Sequence, residues 1–401
     1  MNPIISVGWN WYQKNNTFAI NNSNVRKVSM LVTNNCDPDP RVLRMGVWLV
    51  GAGYDVTIYA YDRMQESEKA SITQGVKILR FQHGKSPYGG TIKTIIGKRR
   101  FLKFAIKEIS KSPPEIVFCH DGDTLQAGAF LKKKLNIPLV LDMHDLHFSW
   151  TRMNNPRSLP RRLVSKYQQK QFERLLVKPD LIFTSSGSLP NGKFPGFKQW
   201  IKQRGMDSVV IENRPQESQK TPKKNNERET VVSYIGKIRD EEAMNFLISS
   251  VLKLRDLSKI KLLIAGDGVL SGKIEKMLIQ YHEEVGLDYE FHGRFNVEQK
   301  YKLIAKSDVM FAMYNPKRGN INEGALPTKM FDAASIGIPT IVNSDCLMGE
   351  IIEKEGWGFS VEWGNFKSLR DAILSAKKYP KIEFKPKLIK NQFLEAMKSL
   401  D

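Results

Sequence analysis

The sequence predicts an α/β fold with two parallel-sheet domains, because short apolar strands alternate with amphipathic helices in two successive series along 401 residues. A polar, charged stretch at 216–230 separates the two series and is typical of a linker or an exposed loop. The length suits two domains, and a hydrophobic fraction of 41% excludes a disordered chain. We expect domains at 1–212 and 213–380, and a C-terminal helix at 381–401 that packs back towards the first domain.

The first series opens with a buried strand at 28–33 and a helix that starts after Asp37-Pro-Asp-Pro40. Asp39 suits the N-cap of that helix and Pro40 its first position, while Gly51 marks its end. The rest of the series is read from further apolar runs. Strands are predicted at 56–60, 116–119, 138–142, 179–184 and 209–211, and a helix at 124–135.

The second series repeats this layout after the linker. Strands are predicted at 231–235, 261–265, 289–293, 309–312 and 340–342, and a helix at 241–254. In a further helix, Pro327 suits the first turn and Gly337 the end, which places Lys329 and Asp332 on one helical face. Ligands of open parallel sheets bind beyond the carboxyl ends of the strands, where most of the suggestive polar residues follow.

Cysteine usage and hydropathy bear on the compartment. Cys36, Cys119 and Cys346 lie far apart without a paired spacing, which fits a reducing cytoplasm. The first residues show no signal-peptide pattern, and no apolar run is long enough to span a membrane. We expect a cytoplasmic protein, with peripheral attachment to the inner face of the cell membrane left open.

The charge of the chain is strongly asymmetric. Of the formal net charge of +20, residues 1–212 supply +16, from 32 Lys and Arg against 16 Asp and Glu. Two basic runs with interleaved apolar residues, 93–107 and 161–178, carry much of this excess. They suit an anionic membrane or a lipid-diphosphate acceptor, and equally well ordinary packing helices with solvated outer faces. The absence of a zinc-finger or RNA-binding motif argues against nucleic acid.

Near the start of the helix that Pro327 opens and Gly337 ends, Lys329 lies where free backbone N–H groups attract a phosphate, and Asp332 could bind the hydroxyls of a ribose. An ordinary surface lysine and aspartate on a packing helix would show the same spacing. Six segments, taken together in their order and spacing, are more specific than any one of them. These segments are Asp37–Arg44, Val117–Asp121, Asp142–Asp145, Ser233–Gly236, Ile264–Gly268 and Leu326–Asp332.

Together these segments resemble the retaining, nucleotide-sugar-dependent enzymes called glycosyltransferase group 1, or family 4. The resemblance covers roughly residues 25–380. It implies two Rossmann-like domains that face a central cleft, the GT-B fold. It also implies transfer of a sugar from a nucleoside diphosphate, with UDP favoured over GDP, to a glycan acceptor that the charge suggests is lipid-linked. No tightly bound cofactor and no metal are expected.

Site residues follow from the same resemblance. The catalytic candidates are His120, which would approach the donor sugar, and Arg239 and Lys329, which would stabilise the departing diphosphate. Further donor-binding candidates are Gly236, Lys237, Gly266, Glu323, Leu326 and Asp332. Acceptor candidates are Asn35, Asp37, Asp121 and His144, with Asp121 also a candidate to orient His120. His147 stays open between the acceptor pocket and an ordinary surface position, and His292 between the nucleotide-base site and core packing.

One position departs from the family pattern. The family brackets its donor with two glutamates; Asp332 stands in the place of the second, while Gly324 stands in the place of the first. Glu323 is the neighbouring substitute. This departure keeps an alternative open, a catalytically weak module that keeps the fold and binds carbohydrate or membrane.

Overall fold

The computed structural model describes residues 25–37, 39–86, 92–153, 155–218, 229–254 and 257–400. Residues 1–24, where a signal peptide was considered, and most of the 216–230 linker lie outside these ranges. The two predicted series form two separate sheets with helices on both faces, which confirms the α/β fold.

The first sheet has eight strands in the order β3-β4-β2-β1-β5-β6-β7-β8. All its pairs are parallel except β3 with β4, a hairpin that the sequence analysis did not predict. Its strands are β1 Lys27–Val32, β2 Asp55–Tyr61, β3 Ala70–Thr73, β4 Val76–Phe81, β5 Ile116–His120, β6 Leu139–Met143, β7 Leu181–Thr184 and β8 Val209–Val210.

The second sheet has six parallel strands in the order β11-β10-β9-β12-β13-β14. Its edge strand β14 pairs with β13 and was also absent from the sequence analysis. Its strands are β9 Thr230–Ile235, β10 Ile260–Ala265, β11 Tyr289–His292, β12 Val309–Phe311, β13 Thr340–Asn343 and β14 Gly358–Val361.

Helices cover both faces of each sheet. Those of the first part of the chain are α1 Pro40–Val50, α2 Ile92–Lys111, α3 Leu125–Leu135, α4 Leu159–Leu175 and α5 Phe197–Lys202. Those of the second part are α6 Glu241–Leu252, α7 Ser271–Val285, α8 Val297–Ile304, α9 Thr328–Ile336, α10 Leu347–Glu355, α11 Phe366–Ser375 and α12 Ile389–Lys398. No helix in the described ranges combines the length and hydropathy needed to cross a bilayer.

Helix ends follow the predicted chemistry. Asp39 caps α1 by accepting a hydrogen bond from the backbone N–H of Val42, and Pro40 takes the first helical position. Gly337 ends α9 with a φ of 85°, a left-handed conformation that glycine adopts without a steric penalty. Cys36, Cys119 and Cys346 are free, as predicted from their spacing, and all three are buried.

Sheet register brings polar residues together at the carboxyl edge of the first sheet. β5 and β6 are parallel neighbours, and their register pairs His120 with Asp142. β1 lies on the other side of β5, so the loop after β1 meets the loop after β5. There the hydroxyl of Thr33 donates a 2.6 Å hydrogen bond to Asp123.

The C-terminal helix α12 packs on the first sheet, on the same face as α1. The buried ring of Phe393 lies 5.5 Å from the ring of Trp48 and 5.0 Å from that of Phe183, measured between centroids. The chain thus returns from the second sheet to complete the core of the first.

Phe393→Ala should lower the free energy of unfolding by about 3–5 kcal/mol, because it empties a fully buried aromatic site. Urea unfolding followed by circular dichroism measures the loss. Leu388→Ala, just before the same helix and largely exposed, is the matched control and should change stability by less than about 0.5 kcal/mol. Equal effects of the two substitutions would contradict a structural role for α12.

Candidate active site

A buried ionic chain lies at the carboxyl edge of the first sheet. Asp142 accepts hydrogen bonds from Arg41 at 2.6 and 2.9 Å, a bidentate pair, and one of 3.0 Å from Nδ1 of His120. Arg41 also donates to the carbonyl of Ile211 and to the side chain of Asn213. The chain therefore connects His120 with α1 and with the segment that leads to the second sheet.

Electrostatics fix the protonation of this chain. Burial by itself raises the pKa of Asp142, but the charge of Arg41 and the hydrogen bonds from His120 hold it well below its usual range. An ionised carboxylate only accepts, so Nδ1 of His120 carries the proton, and in the neutral imidazole Nε2 is an acceptor. Nε2 is buried and has no hydrogen-bond partner among the described residues.

The carboxylate of Asp121 contacts His144 and not His120. It lies 2.9 Å from Nε2 of His144 and accepts from the backbone N–H groups of His144 and Asp145. The suggestion that Asp121 orients His120 is therefore wrong; Asp142 fills that role because the β5–β6 register places it opposite His120. Asp121 instead fixes the loop after β6.

His120, Asp142 and His144 bring three potential metal-ligand atoms within 4.8 Å of one another, a cluster that the sequence analysis did not identify. The contacts of these three side chains favour hydrogen bonds and ion pairs within the protein over coordination of a metal ion. Burial lowers the pKa of His144, but Asp121 and Asp142 raise it well above its usual value, and an imidazolium has no free lone pair. The charge of Asp142 is already neutralised by Arg41. We call Arg41, His120, Asp121, Asp142 and His144 the N-terminal cluster.

A second cluster surrounds Lys329 at the start of α9. The ammonium group lies 3.5 Å from the ring centroid of Tyr234 and 5.5 Å from that of Tyr314. It is buried and has no hydrogen-bond partner in the described part of the chain. Burial, together with the nearby charge of Arg318, lowers the pKa of Lys329 to about 7.

Arg318 adds a second cation beside this ammonium. Its guanidinium stacks 4.8 Å from the ring centroid of Tyr314, and its Nη1 lies 3.8 Å from Asp240. The predicted phosphate ligand Arg239 is half-buried in the adjacent loop. We call Lys329, Arg318, Tyr234, Tyr314 and Asp240 the C-terminal cluster; of these, the sequence analysis singled out Lys329 alone.

Glycines permit the loops that end β9 and β10 to touch. A Cβ at Gly266 would lie 1.9 Å from the carbonyl oxygen of Gly236, and one at Gly268 would lie 2.3 Å from that of Ile238. Gly236 itself lies against the end of Lys329, which a Cβ would approach to 3.4 Å. Only glycine fits these positions, so the backbone of the two loops packs closely beside the C-terminal cluster.

Other donor candidates already have partners. Both carboxylate oxygens of Asp332 are engaged, one by Lys300 at 2.9 Å and the other by the hydroxyl of Tyr301 at 3.2 Å. Lys237 is exposed and paired with Asp267. Ribose at Asp332 would have to share or replace the bonds from α8, and phosphate at Lys237 would compete with Asp267.

The remaining candidates lie around the rim. The side chains of Asn35 and Asp37 both bond to the hydroxyl of Ser67. Glu323 and Leu326 are half-buried in the loop before α9. His147 packs edge-on against an aromatic ring, and burial lowers its pKa to about 4. This contact assigns it to packing. His292 pairs with Glu290, two residues before it on β11.

Gly324 lies at a crossing between the two parts of the chain. Its φ is 101°, and a Cβ there would lie 2.5 Å from Cα of Gly196. Its carbonyl accepts a 2.7 Å hydrogen bond from Ser186, which follows β7. A glutamate cannot occupy this position in the observed arrangement, so the departure from the family pattern is a structural requirement here.

A further contact joins the two clusters across the cleft. Asn320, in the loop before α9, donates a 2.8 Å hydrogen bond to Asp145, which directly follows His144. Nearby, the guanidinium of Arg152 packs on Gly319. The loops that carry the N-terminal and C-terminal clusters therefore face each other at one cleft.

Family comparisons agree with this geometry. A model of the group 1 glycosyl transferases matches residues 215–393, and a model of the glycosyl transferase 4-like domain matches residues 38–188. The chain belongs to the group 1 glycosyltransferases. The family that the sequence resemblance indicated is thereby confirmed, and both clusters lie within the matched ranges. No curated protein sequence matches the chain significantly.

Solved structures show the same fold for nearly the whole chain. Sucrose-phosphate synthase from Thermosynechococcus elongatus has a TM-score of 0.66 at 13% identity, covering 94% of each chain. HepE of Anabaena in complex with UDP has a TM-score of 0.62 at 14% identity, covering 93% of this chain and 100% of that one. The lipopolysaccharide outer core galactosyltransferase WaaB has a TM-score of 0.56 at 14% identity, covering 93% and 98%. The GT-B fold is confirmed.

Arg41→Gln should lower the free energy of unfolding by about 3–5 kcal/mol at neutral pH, because it leaves Asp142 as an uncompensated buried charge. Arg41→Lys should recover part of the loss, since it keeps the charge without the bidentate geometry. Urea unfolding measures both. Lys77→Gln, which removes a half-exposed ion pair with Asp55, is the control and should cost less than about 1 kcal/mol.

The stability lost in Arg41→Gln should depend on pH in a definite direction. The pKa of Asp142 is depressed in the folded protein, so its stabilising contribution is present above the unfolded value and is lost as pH falls through the folded one. The difference between wild type and Arg41→Gln should therefore shrink as pH falls below about 4. A difference independent of pH would show that Arg41 acts through packing alone.

Proposed function

We propose that the protein transfers a sugar from a nucleoside-diphosphate sugar to a glycan acceptor with retention of anomeric configuration. The observation that carries the proposal is the buried ammonium group of Lys329, which has no hydrogen-bond partner in the described part of the chain. A buried cation without a bonded counterion is costly, and an anionic ligand removes that cost. Lys329 begins a helix whose N-terminal backbone also favours negative charge.

A diphosphate fits the C-terminal cluster better than a single phosphate. Lys329 and Arg318 supply two cations beside the backbone at Gly236, and the half-buried Arg239 follows in the same loop. Arginine binds phosphate oxygens in a bidentate manner. Three cations of this kind would stabilise the charge that develops on a departing diphosphate without requiring a metal ion.

The N-terminal cluster supplies the opposite side of the cleft. With Nδ1 of His120 bonded to Asp142, its Nε2 is free to accept a hydroxyl hydrogen bond from the donor sugar. Arg41 and Asp142 are positioning residues, since they act through His120. His144, Asp121, Asn35 and Asp37 then flank the acceptor side of the cleft.

The proposed reaction needs no enzymatic nucleophile. The acceptor hydroxyl attacks the anomeric carbon from the face that the diphosphate leaves. The carbon–oxygen bond to the acceptor forms while the bond to the diphosphate breaks, and the acceptor proton passes to a departing phosphate oxygen. Attack from the leaving-group face retains the anomeric configuration.

Two finer assignments rest on analogy and charge. UDP is the proposed nucleotide, supported by the UDP complex of the structural neighbour HepE. A lipid-linked acceptor in polysaccharide biosynthesis is proposed because the positive charge is concentrated in the first 212 residues. The structural neighbour WaaB is named as a lipopolysaccharide outer core galactosyltransferase, and lipopolysaccharide is a lipid-borne glycan of this kind. A cytoplasmic enzyme at the inner face of the cell membrane would meet both substrates.

A binding module without turnover remains the second candidate, because Gly324 removes the first acidic residue of the family pattern. Glu323 is half-buried beside it and close to Arg152, whose charge it influences. UDP binding without sugar transfer or donor hydrolysis, across a panel of UDP-sugars, would favour this second candidate over the transferase.

Lys329→Met should weaken UDP binding by roughly tenfold to a hundredfold, the loss expected for a charge-assisted hydrogen bond. Calorimetry gives the affinity, and a thermal-shift panel of nucleoside diphosphates identifies the base. Lys276→Met, an exposed lysine of α7, is the matched control and should bind as wild type does. Wild-type affinity in Lys329→Met would exclude the proposed donor site.

The affinity for UDP should also depend on pH through Lys329. Its pKa of about 7 in the free protein must rise when a diphosphate binds, so above pH 7 binding takes up a proton. Affinity should fall by up to about tenfold per pH unit between 7 and 9. Lys329→Met should lack this dependence, and a wild type without it would contradict the assignment.

A further inference from the structure

We propose that the outer surfaces of α2, α3 and α4 form a docking face for an anionic lipid bilayer. We call this surface the α2–α4 face. Its apolar members are Ile95, Ile96, Phe130, Leu159, Leu163, Val164 and Tyr167. Its exposed cations are Lys93, Arg99, Arg100, Lys103, Lys107, Lys133, Lys134, Arg162, Lys166 and Lys170.

Exposed apolar side chains concentrate on this face. Seven of the 17 large hydrophobic side chains that are exposed in the described residues lie on these three helices. Leu159 and Leu163 are 70% and 69% exposed, and Tyr167 is 64% exposed. These three recur every four residues along α4, so they form one continuous stripe. Scattered apolar residues need no partner, but a contiguous group of this kind marks an interaction surface.

The stripe does not belong to the core. α4 has its own buried side, where Phe172 packs into the core of the first sheet and Ser165 donates to the carbonyl of Phe148. On α2 the buried side carries Phe101, Ala105 and Ile109. Each helix therefore has apolar residues on two sides, and packing accounts for only one of them.

The segments that carry most of these cations have no acidic residue among them. Residues 92–107 and 159–170 contain no Asp or Glu. On α4, Arg162, Lys166 and Lys170 run beside Leu159 and Leu163 at helical spacing. An amphipathic surface with apolar side chains flanked by Lys and Arg suits the headgroup region of an anionic bilayer.

The three helices form one layer at the cleft side of the molecule. α3 contacts both α2 and α4, and all three pack on the same face of the first sheet. Lys98 of α2 lies 3.3 Å from Asp123, at the carboxyl edge, and Arg161 of α4 donates to the carbonyl of Thr151 in the loop after β6. The α2–α4 face therefore adjoins the acceptor side of the proposed active site.

Chemistry favours a bilayer over other partners. Single-stranded nucleic acids are held by cations together with stacked aromatic rings, whereas most apolar residues here are aliphatic. The N-terminal residues 1–24 could cover an apolar surface, but they contain one Lys and no Asp or Glu, so they cannot neutralise these cations. An anionic lipid surface satisfies both the charge and the aliphatic side chains.

An anionic bilayer at this face is the partner on the acceptor side of the proposed function. Only the role of the bilayer in presenting an acceptor rests on that function. Vesicle binding needs neither donor nor turnover. UDP binding, conversely, tests the donor site in every variant, so failure of the docking face and failure of the active site are separately visible.

The test is co-sedimentation of the full chain with phosphatidylcholine vesicles that contain about 30% phosphatidylglycerol. The charge variant is Arg99→Gln/Lys103→Gln/Lys166→Gln. It should lower the partition coefficient on the order of 100-fold, since each of the three cations near the surface contributes about fivefold. The matched control, Lys276→Gln/Lys354→Gln/Lys367→Gln, removes the same charge from exposed positions of the second part of the chain and should bind as wild type does.

The apolar variant, Leu163→Ser/Tyr167→Ser, separates insertion from charge attraction. It should weaken binding at low salt and lose the fraction that persists at high salt, because salt screens only the electrostatic part. Both sites are exposed, so the fold and the thermal shift with UDP should be unchanged. No binding of wild type to anionic vesicles, equal losses in the charge variant and its control, or wild-type vesicle binding by the apolar variant would overturn the proposal. Displacement of the protein from vesicles by an RNA homopolymer at the same charge concentration would likewise assign the face to nucleic acid.

Discussion

The buried pair of Arg41 and Asp142 is the interaction on which the cleft depends. It joins α1 to the carboxyl end of β6, holds His120 through the same carboxylate, and reaches the backbone at Ile211. Burying two charges is costly, and the bidentate geometry with every remaining donor satisfied compensates for it. A substitution there would disturb the sheet edge, the imidazole and the passage between the two parts together.

The C-terminal cluster uses the same physics with the opposite outcome. Asp142 has its counterion within the protein, whereas the ammonium of Lys329 faces two tyrosine rings and a second cation, Arg318. Ring faces attract a cation but do not neutralise it. The charges of the N-terminal cluster are therefore paired in the free protein. The ammonium of the C-terminal cluster gains a counterion only when an anion binds. This difference is the physical basis for placing the donor diphosphate at the second cluster.

Much of the fold could be predicted because apolar runs and turn residues are local signals. The caps at Asp39 and Gly337 and the central strands of both sheets follow directly from them. The site was less visible. Lys329 was found through its position at a helix start, but its partners Tyr234 and Arg318 come from distant segments. Arg41 offered one usable signal, a charged residue on the buried side of an amphipathic helix. The partners of Asp332 on α8 left no signal at all, because they depend on how two helices pack.

Gly324 shows why the two parts of the chain have to be considered as one site. Its missing side chain looked like the loss of a donor ligand, but the structure shows that the space belongs to the backbone of Gly196. The same loop carries Asn320 to Asp145 and then leads into Lys329. A side chain at 324 would push this loop away from the first sheet and separate the N-terminal cluster from the C-terminal cluster. The close approach of the two loops thus occupies the space that a side chain at 324 would need, and it makes the relative position of the clusters a property of backbone contact.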